Sequence, residues 1–237
     1  MVGIVLVSHS LALANAVLNL VRQVATSQIQ IAVAAGMGGD HSEFGTNAVE
    51  ISAAIQSVIN PLGVLVLMDI GSAILSAEAA LELLPDDIAT RVRLCPAPFV
   101  EGAIAAAIQA GLGSDIDTVH EEAKSALRPK HEHLGPVSET TRHPEMAQVV
   151  GENKNASVTV AIHGEHGLHL RPAARFVQTA SSFKSDIFVR HNAGDEPAVS
   201  GKSLSQLMSL GVSQGDVITI TAKGSDSEDA VRALKSL

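Results

Sequence analysis

A chain of 237 residues, 46% hydrophobic and 17% charged, holds enough apolar side chain for one large domain or two ordinary ones, which excludes a disordered tail. Its net charge of -9 leaves no basic surplus to displace counterions from DNA or RNA, and 2% aromatic content with no Trp or Tyr leaves little on which bases could stack. The lone cysteine, Cys95, permits no internal disulfide, as expected of a reducing compartment.

The chain opens on a continuous apolar, β-branched run, Val2 to Val7, the pattern of a strand buried on both faces. This start does not read as a signal peptide, since its first cation is Arg22 and Ser8-His9-Ser10 interrupts the apolar stretch. Leu11 to Val24 repeats apolar residues at helical spacing, with Ser10 placed to cap it. Ile29 to Val33 predicts a second strand, which runs into the glycine-rich AAGMGGD (Ala34 to Asp40). A helix is expected from about Thr46 to Ile59, broken by Pro61-Leu62-Gly63. Val64 to Met68 is a third strand, ending at Asp69-Ile70-Gly71-Ser72, and Ala73 to Leu84 is its helix. The run from Pro61 to Leu84 is broken by Asp69, Glu78 and Glu82, so it reads as a poor membrane span. Arg91 to Leu94 and Val100 to Ala110 complete the alternation with a short strand and a helix. Such a βαβα order predicts an α/β domain, a doubly wound parallel sheet with helices on both faces, over residues 1–128. Ligands of such sheets gather at the carboxyl ends of the strands, the edge on which His9, the loop after Val33 and Asp69 all fall.

From about residue 129 to 155 the chain is polar, carries Pro129, Pro136 and Pro144, and lacks an apolar period; it reads as a flexible linker. His131-Glu132-His133 within it reads as a solvated polar run or an adventitious metal ligand set, and neither half shows a metal-binding constellation or a Walker A pattern. Beyond the linker, Ser157 to His163 alternates as a half-buried strand with Val158, Val160 and Ile162 on one face. Pro172 to Ser182 is a predicted helix, Asp186 to Arg190 and about Pro197 to Ser200 are strands, Ser203 to Leu210 a helix, Val217 to Ala222 a strand and Ser227 to Leu237 a helix. Strict alternation is lost, so residues 156–237 are expected to form a small α+β open-faced sandwich.

The sharpest local signal is GLHLRPAARFV, Gly167 to Val177. Proline is tolerated in a helix's first turn, so Arg171-Pro172 opens a helix and His169 lies just before its amino end, where free N–H groups and the dipole favour an anion. Arg171 adds a planar cation suited to phosphate oxygens, and a neutral imidazole is a nucleophile near pH 7. The same residues also suit a plain turn beside a helix cap. His163 and His166 read as solvated loop histidines. On GLHLRPAA and on GKSLSQLMSLGVSQGDVITI (Gly201 to Ile220), residues 157–237 resemble HPr, the small histidine phosphocarrier of the phosphoenolpyruvate-dependent phosphotransferase system (PTS). The resemblance implies phosphorylation of His169 at Nδ1, with Arg171 and the helix amides holding the phosphate. In some HPr proteins a serine at the place of Ser203 is a regulatory kinase site; Ser203 also reads simply as a helix cap.

In the first half His9 directly follows a buried strand, and Asp69 ends another on the same rim. A carboxylate beside imidazole fixes its tautomer and frees the other nitrogen to attack, although Asp69 is equally placed to cap the segment from Gly71 to Leu84. Gly36, Gly38 and Gly39 let backbone N–H groups approach phosphate, or merely shape a turn. On LVSHS, GMGGD, EFGTNA and LMDIGSAILSAE this half resembles the mannose-class IIA domain of the PTS, and within it the multiphosphoryl subunits of PTS-dependent dihydroxyacetone kinase, in which a IIA-like domain precedes an HPr-like one. That resemblance implies a phosphohistidine at His9 on Nε2, Asp69 orienting the ring, Ser72 near the phosphate, and a homodimer through residues 1–128.

With one cysteine, no readable signal peptide and no good membrane span, a cytoplasmic, soluble chain is expected, and the resemblance implies a relay with no tightly bound cofactor. Phosphate passes from phosphoenolpyruvate through enzyme I to His169, then His9, then ADP held on the nucleotide-binding kinase subunit. Some members carry a further domain like part of enzyme I; none follows in this sequence, so the general enzyme I is the expected donor. A linker of roughly 25 residues reaches on the order of 25–30 Å, enough for one histidine to visit the other within a chain or between chains. Two alternatives stand beside this: a IIA component serving a sugar transporter's IIB domain, and a regulator whose phosphorylation controls partner binding.

Overall fold

The computed structural model describes residues 1–26, 28–134, 155–163, 167–168, 170–193 and 197–237. They fall into two compact units, Met1–Leu127 and Arg128–Leu237.

In the first unit the strands β1 (Gly3–Ser8), β2 (Ile31–Ala35), β3 (Val64–Met68) and β4 (Val92–Cys95) form one parallel sheet in the order β2-β1-β3-β4. Helices α1 (Leu11–Arg22), α2 (Ala48–Val58), α3 (Gly71–Glu82), the short α4 (Asp86–Ala89), α5 (Phe99–Gly111) and α6 (Ile116–Ser125) connect and cover the strands. Every residue of β1 and β3 is buried, as their unbroken apolar runs require. Val5, Val7, Val64, Val66 and Met68 pack with Ile51, Ile55, Ala73 and Ala77 of α2 and α3. By strand alternation Ile4, Leu6, Leu65 and Leu67 fill the opposite face, where α1 and α5 lie. Each such Leu or Ile contributes about 1.5–3 kcal/mol by leaving water.

Strand order decides what meets at the rim. β1 is central, with β2 on one side and β3 on the other, so the chain leaves its carboxyl end at a topological switch point. The register Ser8↔Ala35 and Val7↔Met68 sets Gly36 and Asp69 beside the end of β1. The ladders continue one step past the strands, Gly36 N–H donating to Ser8 O (3.2 Å) and Asp69 N–H to Val7 O (3.1 Å).

The second unit holds α7 (Arg128–Leu134), β5 (Asn155–Ala161), α8 (Leu170–Ser181), β6 (Asp186–His191), β7 (Val199–Ser200), α9 (Leu204–Ser209), β8 (Val217–Lys223) and α10 (Ser227–Lys235). Its antiparallel sheet runs β5-β8-β6-β7. Ile187, Val189, Ile218, Ile220 and Ala222 are buried, as are Ala173, Phe176 and Val177 of α8 and Ala230 and Leu234 of α10. The opposite face carries hydroxyl pairs, Ser157 with Thr221 (3.2 Å) and Thr159 with Thr219 (3.3 Å), which marks it as the open one.

Three helices depart from the sequence reading. α6 has its signals in place, since Asp115 caps it by accepting from Thr118 N–H (2.8 Å) and Ile116, Val119 and Ala123 stand at helical spacing, the last two buried, yet the sequence reading assigned no element there. The four residues of α4 are too few to show any period. Residues 129–134, assigned to the linker by composition, are helical in α7, because Pro129 stands at its second position, where a missing N–H costs nothing. Residues 135–154 lie outside the described residues. Among the described residues no helix is long and apolar enough to cross a membrane.

Candidate functional site

The end of β1, the start of α1 and the turn from β3 into α3 hold His9 from three sides. Ser10 caps α1, its Oγ accepting from Leu13 N–H at 3.3 Å, so the chain turns sharply at His9 instead of drifting from the rim. Asp69 then binds His9 twice: Oδ2 accepts from the His9 backbone N–H (2.9 Å), and Oδ1 lies 2.9 Å from ring Nδ1. Ser8 Oγ donates to Oδ2 (2.9 Å) and Ile70 N–H to Oδ1 (2.7 Å). On the far side of the ring, Nε2 is 2.6 Å from Ser72 Oγ.

Charge assigns the protons. Burial alone would raise the Asp69 carboxyl, but the bonds from the His9 backbone and ring, Ser8 and Ile70 outweigh it and hold the carboxyl below the ordinary aspartate range. Asp69 is therefore an anion and an acceptor, so Nδ1 carries the imidazole hydrogen. Nε2 then presents its lone pair and accepts from the Ser72 hydroxyl. With His9 only 7% exposed, that lone pair points where the protein directs it. Asp69 does not cap the following helix: the cap position of α3 is Ile70, which makes no side-chain capping bond.

The glycine-rich loop is closed by a short antiparallel bridge. Gly36 has φ +75°, and a Cβ there would stand 2.3 Å from His41 O, so only glycine fits. Met37 and Glu43 then pair, Met37 N–H donating to Glu43 O (2.8 Å) and Glu43 N–H to Met37 O (3.1 Å). Gly38 (φ +84°) and Gly39 turn the tip between them, and neither lines the cavity beside His9. That cavity, about 350 Å³, is bounded by the first turn of α1 and by Asp40 to Phe44, the return limb of the loop. The pairing closes the loop and sets Asp40 to Phe44 beside His9. Phe44 stacks on the His9 ring, centroids 5.0 Å apart and planes 30° apart. Sequence reading missed this residue, although it lies in EFGTNA and is one of only five phenylalanines in a chain without Trp or Tyr.

In the second unit His169 and His166 lie outside the described residues, and His163 is exposed at the end of β5. Arg171 is exposed in the first turn of α8, followed by Pro172. Ser203 is the cap of α9, 5% exposed, its Oγ accepting from Gln206 N–H (3.3 Å) and lying 3.1 Å from Ser205 Oγ. Among the described residues no three His, Cys, Asp or Glu side chains come together as a metal site.

Two family models match the two units. Residues 3–120 match the PTS system fructose IIA component, and residues 156–237 match the PTS HPr component phosphorylation site. The phosphoryl donor subunit DhaM of the PEP-dependent dihydroxyacetone kinase of Escherichia coli is 42% identical over 238 residues, which take in all of this chain and 50% of that protein. The phosphoryl donor subunit DhaM of PEP-dependent dihydroxyacetone kinase 2 of Listeria innocua is 36% identical over 122 residues, which cover 52% of this chain and 96% of that shorter protein. The chain belongs to the DhaM family. The DhaM subunit of Pantoea ananatis matches to a similar degree, 42% identical over all of this chain and 50% of its own length. The chain thus spans about half the length of these longer DhaM relatives.

Proposed function

We propose that the chain is a two-histidine phosphocarrier, loaded at His169 by enzyme I at the expense of phosphoenolpyruvate, passing the phosphoryl group to His9, and discharging it to ADP on the nucleotide-binding subunit of a dihydroxyacetone kinase. The observation that carries this reading is the His9 ring held between Asp69 at Nδ1 and Ser72 at Nε2. In transfer the Nε2 lone pair attacks phosphorus in line, the bond from phosphorus to the His169 ring breaks, and that ring's nitrogen keeps the electron pair. His9 becomes positively charged as Nε2 gains phosphorus while Nδ1 keeps its proton, and the Asp69 carboxylate 2.9 Å away offsets that charge. The phosphoryl oxygens then face the amino end of α3, where Ser72 donates and the dipole favours an anion, worth about 0.3–2 kcal/mol. No acidic residue in the first turn of α3 competes for that end. At the acceptor step ADP oxygen displaces Nε2, which takes back its pair. Arg171, exposed at the start of α8, fits the role of clamp for phosphate on His169. The same reading puts the chain in the cytoplasm as a homodimer through residues 1–128, with no cofactor of its own.

The test is to supply enzyme I and labelled phosphoenolpyruvate to wild type, His9→Ala and His169→Ala, and to map acid-labile phosphate. The relay requires that His169→Ala leave His9 unlabelled and that ADP-loaded kinase subunit empty phospho-His9 of the wild type. Absence of label from both rings would overturn it. The match of residues 3–120 to a fructose IIA component favours one rival acceptor, a sugar transporter's IIB domain. If IIB empties His9 and the kinase subunit does not, the kinase assignment falls and the carrier chemistry stands.

A further inference from the structure

We infer that Phe44 is a lid on the phosphorylated His9, a positioning residue that keeps water from the Nε2–phosphorus bond between loading and discharge; this rests on the phosphocarrier reading. Phe44 is 72% exposed, yet its ring lies against imidazole instead of turning inward to the core. It is held there from both sides. Gly45 N–H donates to His9 O (3.0 Å), the Met37–Glu43 pair closes the loop before it, and Thr46 Oγ1 meets Ser76 Oγ of α3 at 2.7 Å just after it. Asp69 occupies one edge of the imidazole and Ser72 the other, so a ring face is what remains to be covered, and Phe44 covers it.

The chemistry gives that cover a purpose. The cavity that opens on His9 and Phe44 is about 350 Å³, room for roughly ten waters at about 30 Å³ each. In the wasteful reaction a water oxygen attacks phosphorus, the N–P bond breaks with its pair returning to Nε2, and dihydrogen phosphate leaves while Nδ1 keeps its proton. Phosphorylation makes the imidazole cationic, and an aromatic face over a cation is favoured, so the stack tightens in the state that needs protection. A partner that docks over the rim meets the exposed ring first and can push it aside as it supplies the acceptor.

The experiment isolates His9 in the full-length chain by His169→Ala and loads it with phosphoramidate, a small inorganic donor. Loss of phosphohistidine in donor-free buffer is then followed by ³¹P NMR for that parent, for added Phe44→Ala and for added Phe44→Tyr. Phe44→Ala is expected to shorten the half-life about three- to tenfold, and Phe44→Tyr, which keeps the aromatic face, to stay within about twofold of the parent. An unchanged half-life in Phe44→Ala, or a Phe44→Tyr protein as labile as Phe44→Ala, overturns the lid and leaves the carrier reading intact. A parent that takes no phosphate on His9 overturns that reading and the lid with it.

Discussion

Two aspartates stand at helix starts, Asp69 one residue before the cap position of α3 and Asp226 at that of α10, and neither caps its own helix. Asp69 reaches 60 residues back to orient the His9 ring. Asp226 reaches across to the turn before β6, accepting from Lys184 N–H (2.7 Å), Ser185 N–H (2.9 Å) and Ser185 Oγ. Gly224 permits that approach, since a Cβ there would stand 2.6 Å from Ser185 Oγ. Both carboxyls are held below the ordinary aspartate range, but for different ends. Asp69 withstands burial to keep a reactive ring in one tautomer, whereas Asp226, its carboxyl lowered to about 2 by the bonds from Ser185 and Lys184, ties a turn to a helix. The same local pattern serves chemistry in one unit and folding in the other.

Substitutions can break this contrast. Asp69→Asn should keep the shape of the site but lose the anion that fixes the proton on Nδ1, lowering the rate of His9 phosphorylation by about 10²–10⁴ with the fold retained; a rapid-quench labelling time course measures it. Ser72→Ala, on the other edge of the ring, removes one hydroxyl donor and should slow the same step about three- to tenfold. If Asp69→Asn slowed labelling no more than Ser72→Ala, the orienting role of the carboxylate would be wrong.

Asp226→Asn should do the reverse, lowering the melting temperature of the second unit while leaving His9 labelling at the wild-type rate. Its pH dependence follows from the depressed carboxyl. The stabilisation from Asp226 is fully present above the unfolded value near 3.9 and is lost as pH falls through the folded value of about 2. An acid series of melting curves should therefore show a shallower acid decline in Asp226→Asn than in the wild type.

The smallest effect is expected at a third helix start, where the cap is real. Ser203→Ala removes the bond to Gln206 N–H at α9 and should cost about 1 kcal/mol in urea unfolding. Ser203→Asp should change the rate of His169 phosphorylation if this serine is also a regulatory site; an unchanged rate would leave it as a cap.

Much of this was legible beforehand because it is local. Val2 to Val7 and Val64 to Met68 announce buried strands by composition, and Ser10 announces the helix that follows His9. Asp69 was legible as a rim residue but ambiguous between cap and partner, since both roles want a short carboxylate at the same place. Residues 129–134 misled because proline and charge read as linker until proline's position in the first helical turn is known. Gly36, Gly38 and Gly39 were legible as a glycine-rich loop, but such a loop looks alike whether it shapes a turn or approaches a ligand.

What the amino-acid order determined alone was the alternation of strands and helices, the place of His9 at a strand's end, and the change to a second architecture after the linker, all properties of periods a few residues long. Only the tertiary structure decided that β1 lies between β2 and β3, that Asp69 and Ser72 grip opposite edges of one ring, and that Phe44 covers its face. Those contacts join residues 35 to 63 positions apart, and strand pairing and loop closure set them; no local period encodes which strand will be the neighbour.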